Sequence, residues 1–399
     1  MARPFDQRQA VSPDLPEPEL LAGPRSREFG IYVHCPYCRT KCPYCDFNVA
    51  IHREDRLAPF VAALRAELAH YAALPWAGPT PAGSLFLGGG TPSLLPPEAV
   101  AAVLADARRG LGLTPDAEVT LEANPEGLDA DRLRAFRAAG VSRLSLGVQS
   151  LDDTLLRRLG RTHSAADARS AYRAARTAGF DNVSLDLLFA CPDQDLAGWT
   201  RTLDEALAWA PEHLSAYALT LEPATPFGRR PPAGLPDEDL LVAQFETLIA
   251  RTARAGLERY EISNFARPGF RSRHNLGYWR RADFVGLGPG AHGGLGAVRY
   301  WTLRSEPRWR TAVHAGTWAI EGWERLTARQ VAAERIVLGL RLAEGIPLEW
   351  VERHLADASG GADALARFEA AGVLVARDGR LALTDRGVLV SDAVFAELV

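Results

Sequence analysis

The sequence predicts an α/β protein centred on a parallel sheet, either doubly wound or rolled into an incomplete (β/α) barrel. Three observations carry this. Six short apolar runs, at 30–35, 84–88, 118–123, 143–149, 182–189 and 213–221, are nearly continuous rather than alternating, as in strands buried on both faces. Helical stretches lie between them at 57–71, 97–109, 130–138, 165–178 and 196–209, and Gly140 and Gly179 follow two of these as C-cap glycines. Strands that alternate with helices pair in parallel through right-handed connections. In either architecture function collects at the C-terminal ends of the strands.

The remaining chain is expected to add to this core. A proline-rich break at 225–236 closes the six-strand region, which is expected to span 28–235. A helix over 237–255 and an aromatic, glycine-rich stretch at 260–294 follow; the segment 236–326 is read as loops and short strands packed on the barrel. Residues 327–399 read as a small separate unit, with helical stretches at 328–340, 348–354 and 364–370, a hairpin of 372–375 with 380–383, and a final helix. That order is winged-helix-like. No basic cluster accompanies it, so it is read as a packing or partner module.

Composition narrows the class. The 399 residues are 47% hydrophobic and 24% charged, as in a soluble globular protein with a large core. No apolar run approaches the roughly 18 residues needed to span a bilayer. Residues 1–27 are rich in proline and charge, lack the apolar stretch of a secretory signal, and are read as a disordered tail. The expected compartment is the reducing cytoplasm, with transient membrane association left open. A net charge of −4 argues against nucleic acid as a partner. Lys41 is the only lysine in the chain, so the heavy use of arginine reads as genomic bias.

Four of the five cysteines fall within residues 35–45, C-P-Y-C-R-T-K-C-P-Y-C; Cys191 is remote. Cys38, Cys42 and Cys45, spaced C-x3-C-x2-C, can wrap one loop around a cubic iron–sulfur cluster. Such clusters normally take four cysteines, so three would leave one iron open to a ligand. The stretch also contains two C-x2-C pairs suited to a tetrahedral zinc, although zinc motifs usually separate their pairs by roughly a dozen residues or more and only three separate these. An odd cysteine count without a secretory signal fits a disulfide framework least. Lys41 inside the loop is a cation that could offset thiolate charge.

Other polar residues sit at or after strand ends. Gly88, Gly89 and Gly90, then Thr91 and Pro92, form a turn after the second strand. No Gly-Lys-Ser/Thr follows, so it is either a tight turn or a close-approach surface, not a P-loop. Glu122, Gln149 and Arg161 could equally be loop hydrogen-bonders. Asp186 differs, because Leu185, Leu187 and Leu188 surround it and a buried carboxylate needs a partner. His274, near Tyr278 and Trp279, is either a structural histidine or an axial ligand to heme iron; His292 is a weaker second candidate.

Together these stretches resemble the radical S-adenosylmethionine proteins, and within them the HemN/HemW group of oxygen-independent coproporphyrinogen III oxidases and heme chaperones. The resemblance runs from about residue 30 to 399. It is carried in order by YVH at 32–34, the three spaced cysteines with Asp46, Phe47 and Asn48, GGGTPS at 88–93, EANP at 122–125, SLGVQS at 145–150, LGR ending at Arg161, LDLLF at 185–189 and RHNLGYW at 273–279. It implies an incomplete (β/α)6 radical-SAM barrel with a C-terminal extension ending in a winged-helix-like α+β domain. It further implies that Cys38, Cys42 and Cys45 ligate a [4Fe–4S] cluster whose fourth iron takes S-adenosylmethionine. Tyr32, Gly89, Gly90, Thr91, Glu122, Gln149, Arg161 and Asp186 match positions that hold that cofactor, with Asp186 at the ribose. An electron donor for the cluster is implied as a partner.

Phe47 separates the two branches. The oxidases resemble C-x3-C-x2-C-x-C, and Phe47 stands where their fourth cysteine would be. The chaperone branch has phenylalanine there and an H-N-x-x-Y-W motif, matched here from His274 to Trp279, whose histidine is associated with heme. The resemblance thus implies heme binding and transfer of heme to an acceptor protein. An oxidase that converts porphyrinogen propionates to vinyls, and a zinc-stabilised interaction protein, remain open beside it. Two departures from the pattern stand out. Cys35 replaces an expected aliphatic residue, and Phe189-Ala190-Cys191 replaces Tyr-Gly-Leu.

Overall fold

The six expected strands form, in chain order, one parallel array. The computed structural model describes residues 29–77, 80–356 and 361–399, so the expected tail at 1–27 lies outside the described residues. Strands β1 (Phe29–Cys35), β2 (Ala82–Gly89), β3 (Leu113–Ala123), β4 (Arg143–Gln149), β5 (Val183–Phe189) and β6 (His213–Ala218) pair each with the next, all in parallel. Helices α1 (Glu54–Ala72), α2 (Pro97–Gly110), α3 (Ala130–Ala139), α4 (Asp153–Arg158), α5 (Ala165–Thr177) and α6 (Leu196–Ala208) connect them.

The register follows from the side-chain period of two. One parity of each strand is apolar and fully buried: Ile31, Val33 and Cys35 in β1, Leu85 and Leu87 in β2, Leu144, Leu146 and Val148 in β4. The other parity carries Tyr32, Phe86, Glu122, Ser145, Asp186 and Ser215, which line a cavity inside the barrel. Local signals place the helices. Asp129 accepts from the Arg132 N–H at the start of α3, Ser164 and Asp167 form a capping box on α5, and Gly140 ends α3 in the left-handed conformation.

The 236–326 segment does more than pack on the barrel. It contributes α7 (Glu238–Arg254), β7 (Asn264–Ala266), α8 (Arg273–Trp279), β8 (Phe284–Leu287), β9 (His292–Leu295), β10 (Val298–Thr302), α9 (Glu306–His314) and β11 (Ile320–Arg325). β8 joins the outer edge of β1 as a seventh parallel strand, with Gly30 opposite Phe284 and Val33 opposite Leu287. β9, β10 and β11 continue from it as an antiparallel meander, while β7 covers the opposite edge at β6. Among the described residues this makes one continuous sheet of twelve strands. Glu67 of α1 ties the meander back to the barrel, accepting from Gly288 N at 2.7 Å and Trp309 Nε1 at 3.0 Å.

At the C-terminus, α10 (Ala328–Leu340), a short strand Ile346–Pro347, α11 (Leu348–Leu355), α12 (Gly361–Ala370) and the hairpin β12 (Leu374–Arg377) with β13 (Arg380–Leu383) follow in winged-helix order. Two short helices, α13 (Asp385–Leu389) and α14 (Ser391–Leu398), close the chain. No helix among the described residues is long and apolar enough to cross a membrane.

Candidate functional site

A cavity of about 470 Å³ fills the barrel, open at the C-terminal ends of the strands. Twelve of the candidate residues line it: Tyr32, Cys38, Cys42, Cys45, Gly89, Gly90, Thr91, Glu122, Gln149, Arg161, Asp186 and His274. They come from five strands, the loops after β1 and β2, the loop after α4, and α8.

The loop after β1 carries the three spaced cysteines, all as free thiols. Its entry is stitched to the glycine turn, because Gly90 N donates to Cys35 O and Thr91 N to Tyr37 O, each at 2.7 Å. That approach needs glycine. A Cβ on Gly90 would lie 2.7 Å from Tyr37 O and 2.8 Å from Cys35 O. The exit is held by His34, whose Nε2 lies 2.8 Å from Asn48 O. A carbonyl only accepts, so Nε2 donates, and Nδ1 must accept from the Tyr32 hydroxyl at 3.1 Å. Asn48 in turn donates to Pro289 O and Arg304 O, both at 2.9 Å.

A polar relay joins two of the cysteines. Arg161 donates to Cys42 Sγ at 3.8 Å, to Gly147 O at 2.9 Å and to Asn124 Oδ1 at 2.5 Å. Asn124 donates to Thr91 Oγ1 at 3.0 Å, and Thr91 donates to Cys38 Sγ at 3.5 Å. Burial pushes the Cys38 thiol up to about 11, so a thiolate there calls for a compensating cation.

Two carboxyls sit deeper. Glu122 accepts from Gly89 N at 3.1 Å; burial, then the charge of Asp186, pushes it up to about 8. Asp186 is also raised by burial, against the Ser215 hydroxyl, the charge of Arg143 and the hydroxyls of Ser145 and Ser184. Gln149 adopts φ of +63° at a bulge that ends β4, a costly conformation for a non-glycine residue that aims its amide at the cavity.

Helix α8 crosses the barrel floor. Glu118 of β3 holds its N-terminus, accepting from Arg273 N at 3.0 Å, His274 N at 3.2 Å and Ser272 Oγ at 3.3 Å. His274 is 3% exposed and both ring nitrogens are engaged, Nδ1 with Ser84 Oγ at 2.9 Å and Nε2 with the Tyr278 hydroxyl at 2.8 Å. Burial, then the nearby charge of Arg143, pushes it down to about 3, so the imidazole is neutral. Tyr32, Phe86 and Tyr278 pack around it as an aromatic wall.

Other sequence candidates lie elsewhere. Cys35 belongs to the outward, apolar parity of β1, buried in the core and not facing the cavity, so it is separated from the other three cysteines. Cys191 packs among Leu155, Leu159 and Leu188 in a small cluster of its own. His292 lies on β9, outside the cavity lining. Phe47 stands at the cavity mouth, 60% exposed.

Sequence reasoning passed over Asn124, Arg143, Ser145, Ser215 and Tyr217, which also line the cavity. For Arg143 and Ser145 a signal was present, because 143 and 145 alternate with the apolar 144 and 146 and so share one face.

The radical SAM superfamily matches residues 32–206, and the HemN C-terminal domain matches residues 326–390. The heme chaperone HemW of Mycobacterium tuberculosis is 39% identical over 388 residues, covering 95% of this chain and 97% of that protein. The chain belongs to the HemW family of radical SAM proteins. HemW of Escherichia coli is 44% identical over 66% of this chain and 69% of its own length. A mitochondrial relative from Bos taurus, radical S-adenosyl methionine domain-containing protein 1, is 37% identical over 98% of this chain and 92% of its own. Among solved structures, coproporphyrinogen III oxidase HemN of Escherichia coli has a TM-score of 0.83, covering 95% of this chain and 92% of that one. Identity to HemN is 22%, so it shows a shared fold alone.

Proposed function

We propose that the protein is a heme chaperone that binds a [4Fe–4S] cluster, S-adenosylmethionine and heme, and hands heme to an acceptor protein. One observation carries this reading: the cysteine loop and His274 face the same cavity from its opposite ends.

The residues fit these groups. Cys38, Cys42 and Cys45 are free thiols on one loop, and among the described residues no three His, Cys, Asp or Glu side chains converge on a single ion. Thiolates that each take a different iron of a cluster need no such convergence. Gly89 and Gly90 offer backbone for close approach, Arg161 supplies a cation, and Glu122 and Asp186 supply buried acceptors; together with Tyr32, Thr91 and Gln149 these residues would hold S-adenosylmethionine. When bound, the cluster and S-adenosylmethionine supply one-electron chemistry, for which a separate reductant is needed. The reducing cytoplasm suits the free thiols.

His274 is the heme ligand in this reading. A neutral imidazole is the form that binds iron, and here burial keeps the ring neutral. Ligation requires Tyr278 or Ser84 to release one nitrogen.

The contrasting activity is oxidative decarboxylation of coproporphyrinogen III. Reconstituted protein is incubated anaerobically with that substrate, S-adenosylmethionine and a strong reductant, beside a working oxidase. The chaperone reading predicts no protoporphyrinogen and a stable heme complex. Turnover comparable to the control would overturn it.

A further inference from the structure

We propose that Arg143 forms a carboxylate-binding site on the barrel floor that takes one propionate of a tetrapyrrole, so that the macrocycle is held by its side chain as well as by its iron. This rests on the heme-binding reading above and adds a recognition element to it.

Arg143 opens β4 and is 2% exposed, yet it lines the cavity. Its Nε is buried with no hydrogen-bond partner. The nearby carboxyls are engaged elsewhere: Glu122 accepts from Gly89 N, and Asp186 takes hydroxyls from Ser145 and Ser184. Their field reaches the guanidinium only through space. Arg161 has a partner in Gly147 O and Arg281 in Gly296 O, while Arg341, whose Nε is also unbonded, stacks on the Trp279 ring at 4.6 Å. A buried guanidinium stays charged and carries five donors in a fork that matches a carboxylate. Leaving such a group unpartnered is costly unless a ligand completes it.

The surroundings favour an incoming anion. Burial raises Glu122 and Asp186 toward the neutral acid, so the two carboxyls lining the cavity offset the Arg143 charge less than free carboxylates would. Arg143 and His274 line the same cavity. A ligand whose iron reaches His274 thus brings its periphery within the field of Arg143. The propionates are the anionic groups of that periphery.

The test uses full-length protein, anaerobically reconstituted, with wild type, Arg143→Gln and Arg143→Lys in parallel. The probes are heme, heme dimethyl ester, metal-free protoporphyrin IX and its dimethyl ester, followed by Soret absorption and porphyrin fluorescence. S-adenosylmethionine affinity and circular dichroism report on the cofactor site and on folding. The proposal predicts that wild type prefers each free acid over its ester by about tenfold or more, about 1.4 kcal/mol. Arg143→Gln should lose that preference, and Arg143→Lys should keep part of it. Ester and acid binding equally well to wild type would overturn the site while leaving heme binding intact. Arg143→Gln losing S-adenosylmethionine while keeping the acid preference would also overturn the site, and wild type binding no porphyrin would overturn both the site and the heme-binding reading. Acid preference for the metal-free porphyrin without a Soret shift for heme would support the Arg143 site and instead remove His274 as ligand.

Discussion

His274 is held between two hydroxyls, and one must yield before iron can bind. A neutral hydrogen bond contributes about 0.5–1.5 kcal/mol net. Tyr278→Phe should therefore free Nε2 and tighten heme binding roughly two- to tenfold in a Soret titration. Weaker binding would show that Tyr278 aligns the ring rather than competing for it. Asn124 is the joint between Arg161 and Thr91. Asn124→Ala should weaken S-adenosylmethionine about fivefold to tenfold by calorimetry, the loss of about 1–1.4 kcal/mol, while iron content stays unchanged. Loss of iron with the cofactor would mean the relay supports the cluster loop itself.

Two elements carry carboxylates that act as ties. Glu118 caps α8 with three accepted hydrogen bonds at a helix N-terminus, where negative charge is favoured. Glu118→Ala should cost about 2–3 kcal/mol of stability and weaken heme more than S-adenosylmethionine, because it loosens the helix that presents His274. Equal weakening of both ligands would contradict that division. Glu67 ties α1 to the meander. Burial raises it to about 7, from an ordinary value near 4.5. A carboxyl raised on folding stabilises below its unfolded pKa, and that stability is lost as pH rises through the folded value. The difference in unfolding free energy between wild type and Glu67→Gln should thus shift by about 2 kcal/mol against wild type from pH 5 to pH 8. A constant difference would mean Glu67 ionises normally.

The elements also show where sequence was readable. β1 to β6 were legible because their outward parity is unbroken and apolar. β8 was not. It spans four residues, Phe284–Leu287, inside a glycine-rich stretch, and only pairing with β1 makes it a strand. α4 was passed over for a similar reason, having six residues and a cap at Asp152 in place of a long apolar face.

Over the whole molecule, the barrel brings residues far apart in sequence to one cavity. The three spaced cysteines and the polar cavity residues were legible as ordered motifs, most of them at or just after strand ends, with Tyr32 and Asp186 inside strands and Arg161 after α4. For Arg143 only the face was legible, because a lone arginine at the start of an apolar run shows its burial and its unbonded Nε only once the barrel exists. The loop and the floor are expected to separate functionally. Cys38→Ala should lose most of the roughly four irons expected for one cubic cluster, by elemental analysis, without removing the His274 floor. The measurement that tests the account most directly is a heme titration of anaerobically reconstituted protein, wild type beside His274→Ala, followed in the Soret band. The account predicts saturation at about one heme per chain, with affinity reduced at least about tenfold in the variant, as expected for loss of an axial ligand. Unsaturable uptake by wild type, or the same affinity in both, would contradict it.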